Sequence, residues 1–187
     1  NKHALVFIPK EKLQPDTEYT ITIKLNDIYK NISKGYDNYT FQFKTITPNF
    51  KIETDVLQSY SKDYQYLEGL VKSADIINLI DAKKLIKATQ KGKVKNIIWN
   101  EGNKESKIFE FKIDSIQRFV DDSQLKISWN GMAINSDNKG ENEITIPGKN
   151  NFKVLSISAS NTAEKFISIN FSDPLKKQQN FDGLISL

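Results

Sequence analysis

Cysteine is absent from this 187-residue sequence, and histidine occurs only once, as His3. A chain without cysteine forms no disulfide and offers no thiolate as a metal ligand or nucleophile. A single histidine also excludes a histidine metal cluster, and its position at the terminus argues against a histidine-based catalytic triad. We interpret His3 as an exposed terminal residue, and we expect no metal centre and no cofactor.

Long hydrophobic runs and blocks of like charge are missing as well. No segment approaches the ~18 consecutive apolar residues of a membrane-spanning helix, and no signal-peptide pattern is present at Asn1. The 27 basic residues are balanced by 23 acidic ones, and the lysines stand singly or in pairs. Because a nucleic-acid interface requires clustered positive charge, the sequence indicates a mixed, solvated surface and no nucleic-acid partner.

Loops that bind phosphate or calcium are not found. Neither the P-loop nor the dinucleotide-binding glycine pattern occurs. The segment NSDNKGENEI resembles a calcium loop at first sight. Its candidate ligands are Asn135, Asp137, Gly140 and Glu143. An EF-hand loop needs an oxygen ligand at its fifth position and a bidentate glutamate at its twelfth. Lys139 and Ile146 occupy these positions, so we interpret the segment as a polar hairpin loop.

The remaining polar and aromatic residues form no catalytic pattern. Asp121 and Asp122 are adjacent, whereas paired catalytic carboxylates converge from separate elements, so we expect a turn between strands there. Trp99 and Trp129 occupy interior positions of alternating segments, which favours core packing over a platform for stacking sugars or bases. We therefore predict that the chain is not an enzyme, and we assign no catalytic, cofactor-binding or metal-binding residue.

Three predicted strands fill residues 1–47. ALVFIP is a short apolar run that ends at Pro9, and TEYTITIKL and NYTFQFKT alternate between apolar and polar residues. Period two over β-branched and aromatic side chains is typical of half-buried antiparallel strands. The spacing in KLQPDTEY is also found in fibronectin type III-like sandwiches, where the tyrosine forms a tyrosine corner. We expect the Tyr19 ring in the core and its hydroxyl bonded to the backbone.

A second region of strands follows TITPNF, where Pro48 interrupts the alternation and indicates a linker. It extends to about Gly148. The predicted strands are residues 50–54, 65–73, 94–99, 107–113, 124–129 and 143–146. Asn130-Gly131 is a favoured dipeptide for a two-residue hairpin turn, and we expect one there.

One predicted helix interrupts these strands in NLIDAKKLIKATQKGK. Its apolar face consists of Leu79, Ala82, Leu85, Ile86 and Thr89. Asn78 or Asp81 is placed to cap the first turn, lysines fill the last turn, and Gly92 occupies a typical stop position. We expect a short helix that crosses one side of a β-sandwich.

A third segment begins after PGKNN. It contains the strands FKVLSISAS and EKFISINFSDPL, joined by a turn at Asn161-Thr162, and the start of one more strand that ends at Leu187. Two strands and a fragment are too few to bury a sheet face independently.

These patterns predict antiparallel β-sandwich modules of the Ig-like or fibronectin type III-like kind. Residues 1–47 are expected to be the closing strands of an Ig-like domain, residues 48–150 a complete sandwich with the helix, and residues 151–187 the opening strands of a further β domain. The two partial domains can complete each other, within one chain or by strand exchange in a dimer, because each has unpaired sheet edges.

Eight phrases of the sequence, taken in order, carry a family resemblance. They are FIPKEKLQPDTEYTITI, YTFQFKT, YLEGLVKSAD, VKNIIWN, FEFKIDSIQRF, ISWNGMAI, ITIPGKNNFKVLSI and ISINFSDPLKKQQNFDGLISL. Together they resemble the amino-terminal part of bacterial alpha-2-macroglobulin family proteins, especially Bacteroidetes-like ones. In that family, F-S-D-P-L followed by glutamine and G-L-I recurs at the opening strands of a macroglobulin-like or Ig-like domain. The resemblance covers nearly the whole chain.

The resemblance implies macroglobulin-like modules within a much longer protein that is periplasmic or at the cell surface, often as an outer-membrane lipoprotein. Such proteins inhibit proteases by trapping them: a bait region is cleaved, the shell of domains rearranges, and in many members a thioester captures the protease. The thioester needs a Cys-x-Glu-Gln motif, so this cysteine-free chain does not contain it. The resemblance therefore implies a scaffold role, with neighbouring domains of the same chain and target proteases as partners.

A different class of function stays open at this point. An adhesive or ligand-binding Ig-like module of a bacterial surface protein would use exposed loops, and Tyr60, Tyr64, Tyr66 and the phrase NEGNKES are the residues that favour it. The simpler interpretation of these tyrosines is packing along an edge strand.

Overall fold

The computed structural model describes residues 5–33, 35–161, 165–178, 180 and 182–183. The chain divides into two compact units, one that ends at Pro48 and one that begins at Asn49. All strand pairs of the described residues are antiparallel. The protein is therefore mainly β with a β-sandwich and a short α-helix, which confirms the predicted fold class.

The first unit contains a two-stranded hairpin. Strand β1 (Glu18–Lys24) pairs with β2 (Asn38–Lys44), and a 3-10 helix (Leu25–Asp27) follows β1. The strict alternation of the sequence is retained, because Tyr19 faces Phe43 across the ladder and their rings stack at 5.7 Å.

The hydroxyl contact of the predicted tyrosine corner is present in this unit, and the Tyr19 side chain is half-buried. The Gln14 backbone N–H donates a 2.8 Å hydrogen bond to the Tyr19 hydroxyl, five residues along the chain. The Thr45 side chain closes the same corner, since its hydroxyl donates to the Gln14 carbonyl at 2.6 Å and accepts from the Thr17 N–H. Local spacing was sufficient to predict the Tyr19 contact because Gln14 and Tyr19 are five residues apart, whereas the Thr45 contacts come from the far end of β2 and carried no local signal.

The prediction of a strand at ALVFIP is wrong for the residues that the structure describes. Residues 5–9 have no strand conformation, and the side chains from Leu5 to Ile8 are exposed. An apolar run without alternation is typical of a strand buried on both faces. Strand formation requires a neighbouring strand as partner, and none of the described residues supplies one here.

The second unit is built from two packed sheets and a hairpin. Its strands are β3 (Phe50–Thr54), β4 (Gln58–Ser59), β5 (Tyr64–Asn78), β6 (Ile86–Gln90), β7 (Lys93–Val94), β8 (Ile97–Trp99), β9 (Glu105–Gln117), β10 (Ser123–Asn130), β11 (Lys139–Ile146), β12 (Val154–Asn161) and β13 (Lys165–Phe171). One sheet has the order β3-β5-β9-β8, with β4 also paired to β5. The other has the order β11-β10-β6-β7, and β12 pairs with β13 alone.

The core lies between these two sheets. Alternate residues of β5 and β9, such as Leu67, Phe111 and Ile113, are fully or almost fully buried, and they pack in one cluster with Leu125 and Ile127 of β10. Trp99 and Trp129 are partly buried against this cluster. The prediction that both tryptophans pack in the core is therefore confirmed.

The predicted helix is correct at its start and wrong at its end. Helix α1 spans Leu79–Leu85, and the Asn78 side chain caps it by accepting a 2.8 Å hydrogen bond from the Asp81 N–H. The chain then turns directly into β6 instead of continuing to Gly92. Residues 86, 88 and 90 are buried in alternation because one face of β6 packs against the core while its edges pair with β10 and β7. Ile86 continues the helical spacing of apolar residues, but pairing of this segment with two strands stabilises a strand more than the spacing stabilises a helix.

Two further local predictions need correction. Asn130-Gly131 does not form a two-residue turn: β10 and β11 are joined through a 3-10 helix (Gly131–Ile134), with Asn135 in the left-handed region at φ 56°. The Asn130 side chain accepts a hydrogen bond from the Met132 N–H and so caps this helix. The single strand predicted for residues 94–99 is instead divided between β7 and β8, which belong to different sheets.

Several predictions concern residues that the structure does not describe. His3, the second residue of the turn at Asn161-Thr162, and the final strand at Leu187 lie outside the described residues. The hypotheses that residues 151–187 open a further domain, and that they complete residues 1–47, stay predictions. Asp121 and Asp122 lie between β9 and β10, which confirms the predicted turn.

Candidate functional site

Arg118 is the only arginine among the 27 lysines and arginines of the sequence. It directly follows β9, and its side chain is fully buried. Its guanidinium donates four hydrogen bonds: from Nε to the Pro147 carbonyl at 3.0 Å, from Nη2 to the Gly148 carbonyl at 2.7 Å, and from Nη1 to the Lys62 carbonyl at 3.3 Å and the Asp173 carboxylate at 2.8 Å. Arg118 thus joins three separate segments, and we call this set of contacts the Arg118 junction.

Asp173 supplies the counter-charge of the junction. Burial disfavours its ionised form, but hydrogen bonds from Arg118 and Ser172, with the charges of Arg118 and Lys62, hold the pKa of Asp173 below its ordinary value. An isolated buried guanidinium is costly, and a paired one is tolerated when its remaining donors are satisfied. Arginine suits this position because its rigid fork directs several donors at once and stays charged.

The segment between β11 and β12 is fastened at several points. The Gly148 N–H and the Asn151 side chain both donate to Asp122 Oδ1, at 2.8 and 3.1 Å, and Lys153 pairs with Oδ2 at 3.2 Å. These hydrogen bonds, first that from the Gly148 backbone, lower the pKa of Asp122. Lys149 also pairs with Asp63 at 2.5 Å. The phrase PGKNN, after which the third segment begins, is therefore bound to Asp122 through Gly148 and Asn151 and to Asp63 through Lys149.

Gly148 has a packing role in this segment. A Cβ atom at Gly148 would lie 2.3 Å from the Val120 carbonyl oxygen and 2.8 Å from the Asp121 carbonyl carbon. Only glycine allows the backbone to approach the β9–β10 turn this closely. The turn at Asp121-Asp122 therefore serves as the surface against which the segment is packed.

Ser172 connects the end of β13 to the start of β5. It is fully buried; its carbonyl accepts hydrogen bonds from Ser59 Oγ at 2.5 Å and Gln65 Nε2 at 2.9 Å. The Ser172 N–H donates to the Lys153 carbonyl, and its hydroxyl accepts from the Lys153 N–H. The Ser-Asp-Pro segment (residues 172–174), part of the family pattern F-S-D-P-L, is thus the point where the β12–β13 hairpin meets the sandwich.

The chemistry of the Arg118 junction suits it to holding segments of the chain together and not to catalysis. Arginine does not titrate in proteins, and the Asp173 carboxylate is paired with Arg118 and with the Ser172 hydroxyl. No group of three or more His, Cys, Asp or Glu side chains in the described ranges is arranged to hold a metal ion. The arrangement is that of a buried structural crosslink.

The tyrosines singled out from the sequence lie on the other side of the β3-β5-β9-β8 sheet. Tyr60 and Tyr66 stack on each other at 5.7 Å, and Lys112 Nζ lies 4.1 Å from the Tyr66 ring centre. Tyr64 is exposed at the start of β5. The stacking of Tyr60, which follows the short strand β4, on Tyr66 of β5 supports packing along this part of the sheet as the main role of the pair.

The phrase NEGNKES forms the loop from Asn100 to the start of β9. Asn100 donates from its side chain to Glu110 at 2.9 Å and accepts from the Gly102 N–H. Lys83 of α1 pairs with Glu101 at 2.5 Å. These contacts order the loop, and its side chains remain largely exposed.

Two open cavities lie on this side of the sheet. One, of about 520 Å³, is bordered by Leu70, Ile98 and Glu110, and the other, of about 500 Å³, by Tyr66, Gln58 and Asn170. Asp55 and Glu68 border both. These cavities are open surface concavities bordered by carboxylates, amides and the aromatic rings of Tyr66, Trp99 and Phe111.

No protein-family model, curated protein or solved structure matches this chain. Among the described residues, no helix has the length and apolar character needed to cross a membrane.

Sequence reasoning missed Arg118 and its partners. One signal was available: in a chain that uses lysine throughout, a single arginine marks a position that needs a planar, permanently charged group. The partners carried no signal, because Lys62, Pro147, Gly148 and Asp173 are separated from Arg118 by 29 to 56 residues.

Proposed function

We propose that this chain is a non-catalytic structural segment of a longer, macroglobulin-like protein that traps and inhibits proteases. The observation that carries the proposal is the Arg118 junction, in which a buried, fully hydrogen-bonded crosslink fixes the connection between a complete β-sandwich and the strands that follow it. A chain of β modules that must hold its shape and then rearrange as a shell needs such fixed connections.

The exposed apolar faces of the two hairpins support a longer protein. In β12–β13, Ile157 and Ile167 lie on one face and are 66% and 61% exposed, while the serines of both strands share the other face. In β1–β2, Tyr39 and Phe41 are exposed on the apolar face. Two strands are too few to bury such a face, so each hairpin needs further strands to complete its core.

In this proposal the neighbouring domains of the same long protein are the immediate partners, and target proteases are engaged by the assembled shell. The sequence resemblance supports a periplasmic or cell-surface location. The cysteine-free composition places any thioester elsewhere in the longer protein.

The test uses the gene from which this chain is translated and its full-length product. We expect the flanking sequence to encode further β modules and a lipoprotein signal. We expect the purified full-length protein to protect a large protein substrate from a protease while a small peptide substrate is still cleaved, because a caged protease remains accessible only to small molecules. A gene that encodes no further modules, or equal cleavage of both substrates, would contradict the proposal.

A second function, adhesion or ligand binding, is favoured by one observation: the two adjoining cavities bordered by Asp55, Glu68 and Tyr66. Screening of the chain on glycan and peptide arrays tests it. Reproducible micromolar binding that is lost in Tyr66→Ala and retained in the exposed control Tyr36→Ala would replace the scaffold proposal. Absence of such binding leaves the scaffold as the supported function.

A further inference from the structure

We propose that the Arg118 junction is a lock that makes the β-sandwich and the β12–β13 hairpin one rigid body, and that breaking the Arg118–Asp173 pair releases the hairpin while the sandwich stays folded. The biological role of the lock rests on the proposed function, whereas the lock itself is a property of this chain alone.

The polar fastening of the hairpin is concentrated on two consecutive residues. Ser172 receives hydrogen bonds from Ser59 and Gln65, and Asp173 receives the one from Arg118. Leu155 adds a partly buried apolar contact with the core cluster. Much of the remaining apolar surface of β12–β13 is not buried against the sandwich, since Ile157, Phe166 and Ile167 are exposed. The orientation of the hairpin therefore depends on a small set of contacts at its base.

The segment that connects β11 to β12 (residues 147–153) cannot act as a hinge while the Arg118–Asp173 pair is formed. The carbonyls of Pro147 and Gly148 accept from Arg118, and the Gly148 N–H donates to Asp122. The same guanidinium thus binds the start of the connection through Pro147 and Gly148 and the chain that follows β13 through Asp173. Loss of one contact weakens both ends, which is the property expected of a cooperative lock.

Electrostatics makes the lock sensitive to loss of the negative charge of Asp173. Without the Asp173 charge, Arg118 remains protonated and buried with no counter-charge, which strongly favours its exposure to water. Arg118 lies at the end of β9, not in its middle. Its partners other than Asp173 are loop carbonyls at Lys62, Pro147 and Gly148. The guanidinium can reach water by displacement of these loops, without opening of the β5–β9 ladder.

In a shell of modules this arrangement has two states. When the Arg118–Asp173 pair is formed, a displacement of the following module is transmitted to the sandwich. When the pair is broken, the hairpin and the sandwich reorient about residues 147–153. Bistable connections of this kind convert a local event into a domain movement.

The test compares amide hydrogen exchange of the 187-residue chain with that of Asp173→Asn, which keeps the size of the side chain and removes its charge. We expect exchange in residues 147–153 and in β12–β13 to be at least about tenfold faster, with unchanged protection in β5, β9 and β10. Asp182→Asn is the matched control, because Asp182 is exposed on the same terminal segment, and we expect it to match the parent chain.

A second variant keeps the charges and weakens the lock elsewhere. Ser59→Ala removes the hydroxyl that donates to the Ser172 carbonyl and accepts from Gln65. We expect faster exchange in the same segments, to a smaller degree than for Asp173→Asn. The lock is overturned if residues 147–153 are unchanged in both variants, or if β9 and β10 lose protection together with them. Neither result depends on protease trapping, which is measured on the full-length protein.

Discussion

Tyr19 and Arg118 illustrate two kinds of residue in this protein. The Tyr19 hydroxyl meets a backbone N–H five residues away, so its role depends on local chain geometry. Arg118 meets partners 29 to 56 residues away, so its role depends on the assembled unit. Both are polar groups whose hydrogen bonds fix a loop relative to a strand, and each can be tested by one substitution.

We predict that Tyr19→Phe weakens the first unit by about 0.5–1.5 kcal/mol, because the Gln14 N–H loses its acceptor while the stacking on Phe43 is retained. Faster hydrogen exchange in β1 and β2 measures this loss. The exposed Tyr36→Phe change serves as the control and should have no effect. Unaltered exchange in the Tyr19 variant would show that the corner does not contribute to stability.

The pH dependence of the Asp173 pair has a definite sign. Burial raises the pKa of Asp173 in the folded chain, but the hydrogen bonds from Arg118 and Ser172, together with the charges of Arg118 and Lys62, lower it by more. A lowered pKa contributes stability that is present above the unfolded value of about 3.9 and is lost as pH falls through the folded value.

We therefore predict that the difference in Tm between the parent chain and Asp173→Asn is constant from neutral pH down to about pH 5 and shrinks below about pH 4. Thermal unfolding followed by circular dichroism between pH 7 and pH 3 measures it. Other carboxylates titrate equally in both proteins and cancel in the difference. A gap that persists unchanged at pH 3 would contradict the assignment of the lowered pKa to this pair.

Elements in this protein are decided by competition between local pattern and strand pairing. The Asn78 cap and the first turn of α1 follow local rules. At Ile86 the helical spacing continues, but the segment joins a sheet between two other strands and becomes β6. The reverse case is ALVFIP, whose local pattern predicts a strand. Residues 5–9 have no strand conformation, because no described strand pairs with them.

We predict that Asn78→Ala destabilises the second unit by about 1 kcal/mol, because the Asp81 N–H at the start of α1 loses its capping acceptor. The midpoint of urea unfolding measures this change. Asn103→Ala, in an exposed loop, is the control and should remain within about 0.5 kcal/mol of the parent. Equal midpoints for the two variants would mean that the cap makes no net contribution.

A second prediction at this scale concerns Gly69 of β5. A Cβ there would lie 2.6 Å from the ring of Phe111, its cross-strand partner, and 2.6 Å from the Glu53 carbonyl oxygen. Gly69→Ala is expected to cost about 1–3 kcal/mol through overpacking. Gly102→Ala meets only the exposed Asn100 side chain at 3.3 Å and is the matched control. Urea unfolding in which both variants behave alike would refute the packing argument.

At the scale of the whole molecule, the sandwich of residues 49–146 has a core formed by both of its sheets, whereas the two hairpins leave apolar faces exposed. This difference is the basis for proposing a segment of a longer protein with a structural role. The Arg118 junction adds a mechanical property, since it determines whether the hairpin and the sandwich move together.

The sequence by itself determined the features that depend on near neighbours: the strand alternation, the hydroxyl contact of Tyr19, the start of α1 with a cap at Asn78 or Asp81, and the turn at Asp121-Asp122. Period two and capping reflect geometry within a few residues, so they can be predicted without a tertiary structure.

Only the tertiary structure decided that Ile86 belongs to a strand, that residues 5–9 lack one, and that Arg118 is buried opposite Asp173. Strand pairing and burial of a charge depend on partners tens of residues away, and their free energies exceed local preferences. The Ser-Asp-Pro segment (residues 172–174) combines a feature that the sequence determines with one that the tertiary structure decides. Its turn residues were evident in the sequence, but its function as the base of the lock follows from Arg118 and Ser59, which only folding brings to it.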